Sequence, residues 1–166
     1  MPVGSGRKAG FMALSNWLRA VLNRLSTVLK RRPADAGMTG SPQYSLLARF
    51  IFQGGHYRKK APATPKPGAF LPKPPTLEIS ALWRDTLPER EIWTIGDLLG
   101  KARSQQPPAR ADFDVAAVSE AKLTIEPDPK PHPLHVNLSG WPIDKDEQKS
   151  IALLLCARST LIVRDE

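Results

Sequence analysis

Two of the chain's three histidines, His132 and His135, stand three residues apart in the stretch HPLHVNLSGWP. Glu126 and Asp128 lie just upstream, and Asn137 and Ser139 just downstream. Imidazoles at that spacing can share a zinc ion when they occupy one helical turn. Pro131 and Pro133 forbid that turn. In an extended chain the two rings face opposite ways, and no further His or Cys cluster completes a ligand set. The residues therefore predict no metal and no cofactor. Acid–base chemistry is what the stretch retains. An alternating strand places His135, Asn137 and Ser139 on one face, where a histidine beside polar neighbours suits a general base. One reading is thus a small enzyme that uses His135, with Asn137 and Arg110 as polar helpers in a cleft. Against it stand the lack of a paired nucleophile and the ease with which Gly140-Trp141-Pro142 is explained as a strand end and corner.

A second chemistry lies further upstream, in GGHYRKK. Arg58, Lys59 and Lys60 are three consecutive phosphate-binding side chains, and Tyr57 beside them could stack on a base. The plain alternative is a solvated loop. Charge is unevenly spread along the 166 residues. Residues 1–75 hold 13 Lys and Arg against one acid, Asp35, a balance of +12, whereas residues 76–166 hold 11 bases and 15 acids, a balance of −4. An anionic partner is therefore expected at the front of the chain. The leading reading is a non-catalytic binding or accessory module whose basic surface contacts nucleic acid or another protein. Walker, GxGxxG, nucleophile-elbow, HExxH and EF-hand patterns are all missing from the sequence.

The elements that must position these residues fall into three stretches. Residues 1–37 hold a basic amphipathic helix in which Phe11, Leu14, Leu18, Val21, Leu25 and Val28 share a face, ended by Pro33. A packing helix, a membrane-surface helix over residues 11–32, a transit peptide and an initiation site at Met12 or Met38 in place of Met1 are all compatible with it. Arg19 and Arg24 interrupt the apolar run, so it cannot span a bilayer. Residues 38–75 form a basic segment and a Pro-rich extended strap, with Phe70 and Leu71 as anchors. LLARFIF within it fits a helix turn or a buried strand equally well. The single cysteine, Cys156, sits in the apolar run IALLLCA as a core thiol, which suits a reducing, cytoplasmic setting.

Residues 76–166 form the body. A strand is expected over LEISALW, followed by a helix from Thr86 with Glu89 as its capping-box partner and Ile92, Ile95, Leu99 and Ala102 as its buried stripe. SQQPPARAD reads as a loop. A shorter helix is expected over Asp112–Leu123, strands at residues 123–125 and 135–140, a helix opened by Asp144, and a last strand in TLIVRDE. The order β-α-α-β-β-α-β implies a small single-domain α+β fold, with helices on one face of a mixed or antiparallel sheet.

The segments RFIFQGGHY, PGAFLP, LEISALWRDTLPEREIWTIGD, ARADFDV and EPDPKPHPLHVNLSGWP resemble a family of short bacterial proteins. Its members carry an E-I-W-x-I/L-G helix and an EPDP…H-x-N-x-x-G-W-P loop. The resemblance covers Leu47 to Arg164 and leaves the amphipathic N-terminus outside. It brings no established activity with it. It does imply a bacterial cytoplasm and a body that begins near Met38.

Overall fold

The structure, a computed structural model, describes residues 44–101 and 103–165. The amphipathic segment 11–32, and with it the membrane-surface reading, lies outside the described residues. Among those described, no helix is long and apolar enough to cross a membrane.

The α+β class holds. Strands β1 (Leu46–Ile51), β4 (Ile79–Trp83), β5 (Ala109–Asp114), β6 (Thr124–Pro127), β7 (His135–Ser139) and β8 (Ser159–Val163) form one sheet in the order β6-β7-β4-β1-β5-β8. Every pairing in it is antiparallel. Two short strands, β2 (Tyr57–Arg58) and β3 (Thr64–Pro65), make a separate ribbon. Three helices complete the domain: α1 (Glu89–Lys101), α2 (Val115–Glu120) and α3 (Lys145–Ala157).

LLARFIF is a buried strand in the middle of the sheet. Its alternation sends Leu47 and Ile51 to one face and Ala48 and Phe50 to the other, and all four are buried. The boundary expected at residue 76 therefore moves, because β1 supplies the pairing edge for both β4 and β5. The Pro-rich strap closes over the first face. Phe70, fully buried, meets Phe113 edge-on at 5.7 Å, and burying such a ring contributes about 1.5–3 kcal/mol. The same core takes Ala117 and Val118 of α2 and Ala152 and Leu155 of α3.

The helices divide between the two faces, contrary to the expectation that all would share one. Ile92 and Ile95 of α1 pack on Ala48, Phe50 and Leu82, which the strand alternation turns away from α2 and α3. The reason lies in β5, whose residues the sequence pattern divides between a loop and a helix. ARADFD alternates Ala109, Ala111 and Phe113 toward the apolar core with Arg110 and Asp112 toward α1. Both charges are buried and paired. Arg110 donates to Asp112 at 3.0 Å and to both oxygens of Glu89 at 2.5 and 2.7 Å, while Arg84 reaches Asp112 at 2.6 Å. The Glu89 carboxylate is thus turned to Arg110 and to the Trp93 indole N–H, not back to the start of the helix as a capping box would require. The short helix begins after Asp114, whose side chain accepts from the Ala117 N–H at 2.7 Å. Asp144 caps α3 as its sequence implied, accepting from the N–H groups of Asp146 and Glu147.

Candidate anion-binding surface

His135 is where its alternation put it, at the start of β7, with Val136 and Leu138 facing the core. Its Nδ1 is committed locally. Nδ1 lies 2.9 Å from the Asp128 carbonyl and 3.4 Å from that residue's carboxylate. A carbonyl can only accept, so Nδ1 carries the proton. Asn137 Nδ2 donates to the same carboxylate at 3.3 Å, and Ser139 Oγ to Glu126 at 2.6 Å. The His135–Ser139 face therefore fastens the EPDP loop to the sheet. His132 points elsewhere, its Nδ1 accepting from the Leu134 N–H at 3.2 Å. Burial, then the neighbouring His135, lowers its pKa. No group of three or more His, Cys, Asp or Glu suited to a metal ion occurs among the described residues.

Arg110 does not join His135. Three steps across the sheet, β7 to β4 to β1 to β5, separate their strands, which amounts to about 14 Å at the usual strand spacing. Arg110 is fully buried against Glu89, Asp112 and the Trp93 ring. It fastens α1 to the sheet and is withdrawn as a polar helper.

Tyr57 is corrected as well. It is 5% exposed and packed in the main core, so its ring cannot stack on a base. Arg58, Lys59 and Lys60 are exposed on the ribbon and the loop after it. Among the described residues none of the three takes part in an ion pair. Residues 44–75 contain no Asp or Glu at all, and the fold concentrates their bases. His56 has its pKa lowered by partial burial and then by the positive charges of Arg49, Lys73 and Lys66, which places all three within electrostatic reach of its ring. Lys66 and Lys73 are exposed, and Glu78, across a β-bridge from Lys73, makes no ion pair with it.

Arg49 is the residue that the sequence reading missed. Strands β1 and β4 pair only at Leu47–Trp83 and Ala48–Leu82 and then part. Arg49 fills the opening, donating from Nε to the Ala69 carbonyl and from Nη1 to the Ser80 carbonyl, each at 2.7 Å. Loss of water around it, and then the like charge of Arg103, lower its pKa to about 10. A small cleft beside it is lined by Arg103, His135, Ser80, Phe50 and Phe52. Arg103 lies 4.7 Å over the Phe52 ring. The available signal was an Arg set inside an apolar run, which a strand tolerates only where its head group finds partners.

Cys156 is half-buried, its thiol donating to the Pro65 carbonyl at 3.1 Å, and burial pushes its pKa up. That is the environment of a packing thiol. A second groove, between α2, the Gly140–Pro142 corner and α3, is lined by four acids, Glu120, Asp144, Asp146 and Glu147, against one base, Lys122.

Compared with family models, curated proteins and solved structures, the chain finds no match.

Proposed function

We propose that the domain is a non-catalytic binding module that contacts the phosphate backbone of nucleic acid through one basic surface. One observation carries the reading. The exposed Arg58, Lys59, Lys60, Lys66 and Lys73 come from a stretch without a single acid, and none makes an ion pair among the described residues. Four arginines elsewhere in the domain are paired with acids: Arg84 and Arg110 with Asp112 and Glu89, Arg158 with Asp114 and Glu120, and Arg164 with Asp97. Unpaired bases gathered on one surface are the footprint of a polyanion partner. With Tyr57 in the core, the contact is with phosphates, not bases, and should be indifferent to sequence.

The enzyme reading has less support, since His135 Nδ1 and Asn137 Nδ2 are both engaged with Asp128. Fluorescence anisotropy with labelled single-stranded and duplex DNA tests the proposal. The triple variant Arg58→Ala, Lys59→Ala, Lys60→Ala should weaken binding at least tenfold on any sequence. Unchanged affinity in that variant would refute the assignment.

A further inference from the structure

We propose that the cleft where β1 and β4 part is a receptor for a phosphomonoester dianion, formed by Arg49 and Arg103 with Ser80 and His135 at its wall. The inference deepens the nucleic-acid reading by naming a second contact, to the terminal phosphate of a strand, distinct from the backbone contacts of the basic loop.

The argument begins with Arg49. A guanidinium offers five N–H donors, and here two face neutral carbonyls, those of Ala69 and Ser80. Those two bonds fix its plane and leave the remaining donors for a ligand. No carboxylate among the described residues pairs with it, although burial has cost it hydration. A partly desolvated cation without a counter-ion is unfavourable to fold around, and an arriving anion removes that cost.

Arg103 supplies the second charge. Its guanidinium lies 4.7 Å over the Phe52 ring, and no carboxylate among the described residues forms an ion pair with it. Two guanidinium charges match a phosphomonoester dianion better than a carboxylate or an internal phosphodiester, each of which carries one negative charge. Size agrees. The cleft holds about 70 Å³, whereas a single water takes about 10–15 Å³, so one compact polyatomic anion fits and a whole nucleotide does not. The apolar wall of Phe50 and Phe52 keeps competing water low and strengthens the charge contacts. His135, whose Nδ1 proton goes to Asp128, contributes to the wall of the cleft.

The source of the dianion, a strand end or free phosphate, is separated by experiment on the full chain. Binding is measured for a ten-nucleotide single strand with a 5′-phosphate and for the same strand with a 5′-hydroxyl. Each is repeated with inorganic phosphate as competitor and with Arg103→Ala, an exposed position where folding is safe, beside Arg49→Lys. The expected result is at least tenfold tighter binding of the phosphorylated strand, with the difference abolished in Arg103→Ala and reduced by inorganic phosphate. Binding of inorganic phosphate without any oligonucleotide binding would support the cleft and refute the nucleic-acid reading. Equal binding of the two strands, insensitive to phosphate, would overturn the cleft and leave the backbone contacts standing. Failure of every probe to bind would overturn both.

Discussion

Arg49 donates to the Ser80 carbonyl at 2.7 Å across the point where the β1–β4 ladder has ended. One side chain thus does two things. It holds apart two strands that have stopped pairing, and it places an unneutralised cation at the head of the cleft between them.

If the cleft receives a phosphomonoester dianion as proposed, stability should depend on anions. A ligand that binds only the folded state stabilises it by RT ln(1 + [L]/Kd), about 1.4 kcal/mol at ten times Kd. For a domain of this size the thermal midpoint should rise by about 3–6 °C. Differential scanning fluorimetry with inorganic phosphate at constant ionic strength should show this rise in the wild type and not in Arg49→Lys with Arg103→Ala. An equal rise in both would mean that phosphate acts elsewhere.

Arg110 is expected to be structural. Arg110→Ala leaves Asp112 with Arg84 alone and removes the bidentate partner of Glu89. Breaking a buried pair from one side costs about 3–5 kcal/mol. Urea denaturation should therefore show a large loss of stability, whereas nucleic-acid affinity measured at low temperature on the folded fraction should not change.

Two glycines in α1 should differ in their tolerance. A Cβ at Gly100 would stand 1.9 Å from the Gln105 carbonyl oxygen, which is backbone and cannot swing aside. At Gly96 the nearest atom belongs to the Phe50 ring, at 2.6 Å. Both substitutions overpack, at about 1–3 kcal/mol or more. Gly100→Ala should be the more damaging in thermal unfolding, because the α1 terminus and its following turn must shift as a unit.

Acid should loosen α1 first. Hydrogen bonds from Arg110 hold the Glu89 carboxyl below its ordinary 4.5, and those from Arg164 hold Asp97 below 3.8. Folded values below the unfolded ones mean that the stabilisation is fully present above pH ~4.5 and is lost as pH falls through the folded values. Glu89→Gln should therefore flatten the acid limb of a stability-against-pH curve. An unaltered limb would show that the pair contributes little.

The apolar periodicity of α1, the caps at Asp144 and the β7 alternation were legible because each follows from neighbours in the chain. Several of the differences turn on side chains whose partners are distant in sequence. ARADFD looked like a loop because Arg110 and Asp112 read as exposed charges. Glu89 and Arg84, more than twenty residues away, are what make them tolerable inside. Tyr57 looked available beside three bases, yet the two-residue ribbon turns it inward against a strap that carries Phe70. Arg49 escaped notice for the same reason: its Ala69 and Ser80 partners lie 20 and 31 residues on. The basic surface was legible from composition alone, since residues 44–75 have no acid to neutralise it.

The salt dependence of single-stranded DNA binding is the most direct test. Each phosphate contact contributes about −0.7 to the slope of log Kobs against log salt. Engagement of Arg58, Lys59, Lys60, Lys66 and Lys73 predicts a slope of roughly −3 to −4 for the full chain, falling in magnitude by about 2 when Arg58, Lys59 and Lys60 become Ala. A slope near zero, or one that the triple variant leaves unchanged, would contradict the account.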